Sequence, residues 1–118
     1  MSRDLGSSAD MLLASRRILT FVEHVLEDRF LTDTMLQSAV LHQMTILGEA
    51  AKRVAPDFRA AHPGIDWAAM AGLRNRIVHD YDHISIDKVW NAIQTELPQL
   101  ISVLEAIVPP ESDDEEGR

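Results

Sequence analysis

Apolar residues in this chain recur at helical rather than alternating spacing. From about Ser8 to about Arg29, Leu12, Leu19, Val22 and Leu26 follow at intervals of seven, three and four, with Ile18, Phe21 and Val25 widening the stripe. This predicts one long amphipathic helix. Phe30 to Asp33 reads as a short connection. Asp33 or Thr34 then caps a second helix reaching roughly Val54, with Met35, Ala39, Val40, Met44, Leu47, Ala51 and Val54 as its apolar positions. So short a link makes the two helices antiparallel neighbours. Pro56, Pro63 and Gly64 interrupt the next stretch, leaving room for a turn or one short helix.

Asp66 is placed to cap a third helix that carries Trp67, Met70, Leu73 and Ile77 and ends near Asp80 or Tyr81. A fourth starts at Ser85 and runs through Val89, Trp90, Ile93, Leu97, Leu100, Ile101, Leu104 and Val108, kinked where Pro98 removes a backbone bond. The expected fold class is all-α: an up-down four-helix bundle with a short extra helix, occupying residues 1–110. Gly48 costs about 1 kcal/mol relative to Ala in a helix interior, which suggests a close helix crossing or the approach of another chain. Its neighbour Glu49 is either a plain exposed residue or a partner for Arg74 or Arg76.

Composition narrows the class. With 118 residues, 46% of them hydrophobic, one core is expected, and 5% aromatic content disfavours a β-sandwich. There is no cysteine, which excludes thiol catalysis and Cys-ligated zinc. No apolar run approaches the ~20 residues of a membrane span, and the start leads into no signal-peptide core. A cytoplasmic protein is the expectation. Net charge is −8, which at face value disfavours nucleic acid, but residues 111–118 alone carry −4 and read as an acidic disordered tail.

One window is dense in chemistry. Leu73 to Tyr81, LRNRIVHDY, holds two guanidinium groups, an amide, an imidazole and a phenol. Arg offers a planar fork suited to phosphate, and His exchanges protons near neutral pH. Together they fit phosphodiester chemistry that needs no metal. The same residues can equally form surface ion pairs with Asp80, Asp82 and Asp87. Arg74 and His79 point about 140° apart on a regular helix, while Arg74 and Tyr81 nearly align. A two-fold dimer would bring an Arg from each chain to one phosphate and double the His into a base and an acid. It would also gather four Arg in one groove, locally basic despite the acidic total. His24, His42, His62 and His83 have no second ligand at metal spacing and read as surface or structural groups. Phosphate-cradling glycine loops and the hydrolase elbow are absent, and neither metal nor cofactor is expected.

Arg74, His79 and Tyr81 form an Arg-x4-His-x-Tyr signature, with Asn75 after the Arg. The stretches LQSAVLHQMTILGEAAKRV, DWAAMAGLRNRIVHDY and IDKVWNAIQTELPQL occur in the order of three family helices. On these residues the chain resembles the HEPN superfamily and, within it, the HepT-like ribonuclease toxins of HepT/MntA-type toxin–antitoxin systems, over about residues 8–108. The resemblance implies an all-helical homodimer, in a larger assembly where an antitoxin joins it. The two motif helices would meet at a composite, metal-independent endoribonuclease site. Arg74 and His79 would be catalytic, Asn75 and Arg76 supporting, and RNA the substrate. It further implies a partner nucleotidyltransferase antitoxin that transfers AMP to Tyr81. Two alternatives stand beside it: a catalytically silent HEPN dimer that binds a nucleotide or a partner, and a helical dimerisation module whose Arg and His only make ion pairs.

Overall fold

The computed structural model describes residues 2–110; the expected acidic tail, 111–118, lies outside them. The helices are α1 (Arg3–Phe21), α2 (Glu27–Thr32), α3 (Thr34–Lys52), α4 (Pro56–Ala61), α5 (Trp67–His79), α6 (Ile86–Thr95) and α7 (Leu97–Ile107), with a 3-10 turn over Tyr81–His83 between α5 and α6. No strand occurs among the described residues. α1, α3, α5 and the α6–α7 pair are the four rods of the expected all-α bundle.

Local chemistry sets several boundaries. Asp33 caps α3 by accepting from the Leu36 N–H at 3.0 Å, and Asp66 caps α5 by accepting from the Ala69 N–H at 3.1 Å. α4 is the short extra helix, begun by Pro56 at the first turn, where a missing N–H costs nothing. From α4, Arg59 donates to the carbonyls of Val54 and Ala51, both at 3.0 Å, pinning α4 to the end of α3. Ser85 precedes α6 but donates to Asp87 instead of capping the backbone. That hydrogen bond is the leading cause holding the Asp87 carboxyl below its ordinary range.

The first expected helix is corrected. It begins earlier, at Arg3, and stops at Phe21; the chain then turns through His24 at φ 62° before α2 starts at Glu27. Phe30, expected in a connection, is a fully buried residue of α2 stacked at 5.2 Å on Trp90. Because the turn breaks the register, the stripe does not continue. Ile18 and Val22 are buried, Leu19 and Phe21 lie at the margin, and Leu26 is 78% exposed. Met35 is likewise 83% exposed, although the next residue of the same turn, Leu36, packs against the core. The fourth helix is two helices, parted at Glu96, with Pro98 in the first turn of α7.

The core joins Met11, Ala14 and Ile18 of α1 to Val40, Leu47 and Ala50 of α3, and to Ile77, Ile93 and Leu104. α1 and α3 run antiparallel: Asp4 accepts from the Ala55 N–H at 2.9 Å, and Asp10 pairs with Arg53 at 3.4 Å. The buried hydroxyls of Ser8 and Ser15 donate to Asp4 and Met11 carbonyls one turn back, so both are satisfied within α1.

Candidate functional site: the α3–α5 groove

α3 and α5 cross most closely at Gly48. A Cβ there would stand 2.8 Å from the Arg74 backbone nitrogen and 3.1 Å from the Met70 carbonyl oxygen, so only glycine permits this approach. The crossing that the sequence suggested is thus between helices of one chain. Directly beside it, Arg74 Nε meets Glu49 Oε1 at 3.0 Å, and Arg74 Nη1 donates to Asn75 Oδ1 at 3.2 Å. Of the two readings of Glu49, the paired one holds, with both side chains nearly half exposed. At the other end of the groove, Ser38 Oγ and Tyr81 Oη lie 3.4 Å apart.

The two helices therefore run antiparallel, with Tyr81 reaching Ser38 near the start of α3 and Arg74 reaching Glu49 near its end. On α3, Ser38, His42, Thr45 and Glu49 fall within about 60° of one another around the axis, and facing them stand Arg74 and Val78 of α5 and Tyr81 of the 3-10 turn that follows it. The result is a polar strip facing an Arg and a Tyr. Toward Tyr81 it opens into a cleft of about 250 Å³, walled by Ser38, Leu41, His42, Thr45, Val78 and Tyr81. Sequence reasoning singled out none of Ser38, His42 and Thr45 for function. Their i, i+4, i+7 spacing was a usable signal only once the helix opposite them was known.

The motif residues do not all converge within one chain. Arg74 and Tyr81 lie at the groove, whereas Asn75 and His79 are exposed, and His79 pairs with no described residue. Asn75 and His79, four apart, share the outward face of α5. Arg76 turns to the opposite flank, where Nη2 donates to the Ala69 carbonyl at 3.0 Å beside a second cleft of about 250 Å³ that Met44, Leu73 and Leu97 help to line. Within one chain Arg74 is matched by Glu49, and Arg76 lies on the other flank of α5. Among the described residues no three His, Asp or Glu side chains stand close enough to hold a metal ion, and no helix is long and apolar enough to cross a membrane.

Taken together, the fold and the groove define a small all-α bundle with an Arg-x4-His-x-Tyr sequence at the end of its motif helix. The family model described as "Ribonuclease HepT-like" matches residues 11–107. "Putative RNase MJ0127" of Methanocaldococcus jannaschii is 32% identical over 107 residues, which is 90% of this chain and 88% of that protein. "Probable ribonuclease HepT" of Thermococcus cleftensis is 32% identical over 91 residues, 77% of this chain and 83% of its own. "Putative RNase TTE0752" of Caldanaerobacter subterraneus is 30% identical over 82 residues, 70% and 73% of the two chains. No solved structure gives a significant match. The chain belongs to the HepT-like ribonuclease family.

Proposed function

We propose that this protein is the toxin of a cytoplasmic toxin–antitoxin pair and a metal-independent endoribonuclease working as a homodimer. The observation that carries the reading is the division of labour on α5: Arg74 is fixed by Glu49 and Asn75 at the closest helix crossing, while His79 stands unpaired on the outward face. One chain points the two groups apart. A two-fold axis along the outward face of α5 reunites them, so that each site draws on both chains.

In this mechanism the ribose 2′-OH attacks the adjacent phosphorus and its proton passes to His79 of one protomer. The bond from phosphorus to the 5′-oxygen breaks, and that oxygen takes a proton from His79 of the partner subunit. The products are a 2′,3′-cyclic phosphate and a 5′-OH. The guanidinium of Arg74 stabilises the charge that builds on phosphorus-bound oxygens in the transition state. Asn75 and Arg76 support the site from the same helix. The requirement for a 2′-OH confines cleavage to RNA.

Control falls to Tyr81, half exposed at the mouth of the groove. Its phenol oxygen attacks the α-phosphorus of ATP held by a partner nucleotidyltransferase, pyrophosphate leaves, and the AMP so attached places bulk and negative charge beside Arg74.

Expressed without a partner, wild type should degrade RNA and arrest growth, and His79→Ala and Arg74→Ala should each lose at least ~100-fold in cleavage. Mixing excess His79→Ala into wild type should poison its cleavage, because the heterodimer keeps only one of the two imidazoles that the mechanism uses. Intact RNA and equal growth for wild type and His79→Ala would overturn the reading. That result would favour the alternatives: a silent dimer that binds a nucleotide or a partner, or a dimerisation module in which the Arg74–Glu49 contact is only a structural ion pair. If Tyr81→Phe is still neutralised by the cognate transferase, the account of control fails.

A further inference from the structure

The open end of the α3–α5 groove has a chemistry distinct from its Arg74 end. Its floor is apolar, formed by Leu41 and Ile77, and its rim carries hydroxyls, an imidazole and a half-exposed phenol ring. The Thr45 hydroxyl donates its hydrogen to the Leu41 carbonyl at 2.9 Å, so toward the cleft it can only accept. Ser38 and Tyr81 share one hydrogen bond between them, and His42 is exposed with no partner among the described residues. Neither Lys nor Arg lines the space.

A flat, uncharged ring with hydrogen-bonding edges suits such a site better than a phosphate does. At about 250 Å³ the cleft falls just below the ~300 Å³ at which small-molecule pockets begin, room for a base without its sugar and phosphate. Val78, on its wall, is one helical turn, about 6 Å, from Arg74. We propose that the cleft takes one unpaired nucleobase of an RNA strand whose neighbouring phosphate lies at Arg74. Ser38, His42 and Thr45 read the edge of that base, and Tyr81 stacks against its face. The inference rests on the reading of Arg74 as the phosphate-binding group of a ribonuclease. Thr45 offers only an acceptor, and uracil's single edge donor, N3–H, is recessed between two carbonyl oxygens that an acceptor repels; bases with a projecting exocyclic amino group, adenine, cytosine and guanine, are therefore favoured.

The test uses four 2′-O-methyl homotetranucleotides, of A, C, G and U, which cannot be cleaved through the 2′-OH. Their equilibrium affinities are measured for wild type, His42→Ala, Thr45→Val and Arg74→Ala, with thermal melting to confirm that each variant is folded. Wild type should bind the U oligomer about tenfold more weakly than the tightest of the others, the effect of one unmade hydrogen bond in a site built for it. Thr45→Val and His42→Ala should each narrow the spread to about threefold or less. Arg74→Ala should weaken all four alike and keep their order. Equal affinities in wild type, no binding, or an unchanged spread in both cleft variants would overturn the proposal. If wild type binds with this preference yet leaves cleavable RNA intact, the ribonuclease reading fails and the base site stands; cleavage of RNA without base preference in binding is the reverse case.

Discussion

α3 touches its two long neighbours in opposite ways. Against α1 the contact is sealed: Met11, Ala14 and Ile18 are excluded from water, and the buried serines bond back into their own helix. Against α5 the contact is sealed at one end only, by Gly48, and from there a polar strip widens into the cleft beside Tyr81. One side of α3 is closed packing and the other carries the open polar cleft. The same helix serves both because 3.6 residues per turn keep the two sets of side chains on separate flanks.

The sharpest way to break this contrast is at the sealed end. Gly48→Ala drives a Cβ into backbone at 2.8 Å, which helix propensity cannot offset, and should cost about 1–3 kcal/mol, read as a fall of roughly 5–15 °C in Tm. Gly72→Ala is its control: nothing lies within 4 Å of that Cβ, so the same change on α5 should stabilise by about 0.5–1 kcal/mol. Next is Glu49→Gln, which keeps the shape of the side chain and removes its charge. We expect RNA cleavage to fall roughly tenfold through loss of Arg74 positioning, while stability moves by less than about 0.5 kcal/mol because both partners are nearly half exposed. Gln43 is about 140° around α3 from Gly48, buried, with Oε1 unbonded among the described residues. Gln43→Leu should therefore raise stability by about 1 kcal/mol in a denaturant titration and leave cleavage unchanged.

The smallest effect belongs to Ser85. Asp87 titrates below its ordinary range because it accepts from the Ser85 hydroxyl, so the contact stabilises the fold above that range and is lost as pH falls through it. Ser85→Ala should flatten this acid-side slope in thermal melts, lowering stability slightly at neutral pH and changing nothing below the range in which Asp87 titrates.

What could be read from the chain was local. Asp33 and Asp66 were recognisable as caps because a carboxylate one turn ahead of a backbone N–H needs no tertiary partner. Gly48 was recognisable because glycine inside an apolar helix calls for a reason. The turn after α1 was not, since His24 takes the left-handed conformation at a place where glycine is the usual marker. With no breaker in view, the apolar stripe reads on through Leu26 to Arg29. In the site, the signature gave Arg74, His79 and Tyr81 but not their facing residues. Ser38, His42 and Thr45 become neighbours of Tyr81 only through the register of two antiparallel helices, a long-range fact that spacing within α3 does not contain. For the same reason the two Arg looked like a pair in the sequence and lie on opposite flanks in the fold.

The glycine contact also gives the groove a mechanics. α5 bears on α3 at a point level with Arg74, and Tyr81 lies seven residues beyond, about 10 Å along the axis. A rotation of about 5° around that fulcrum moves the tyrosine end by roughly 1 Å and leaves the guanidinium almost where it was. The mouth can thus widen or narrow while the anchor stays still, a lever with its pivot set beside the charge.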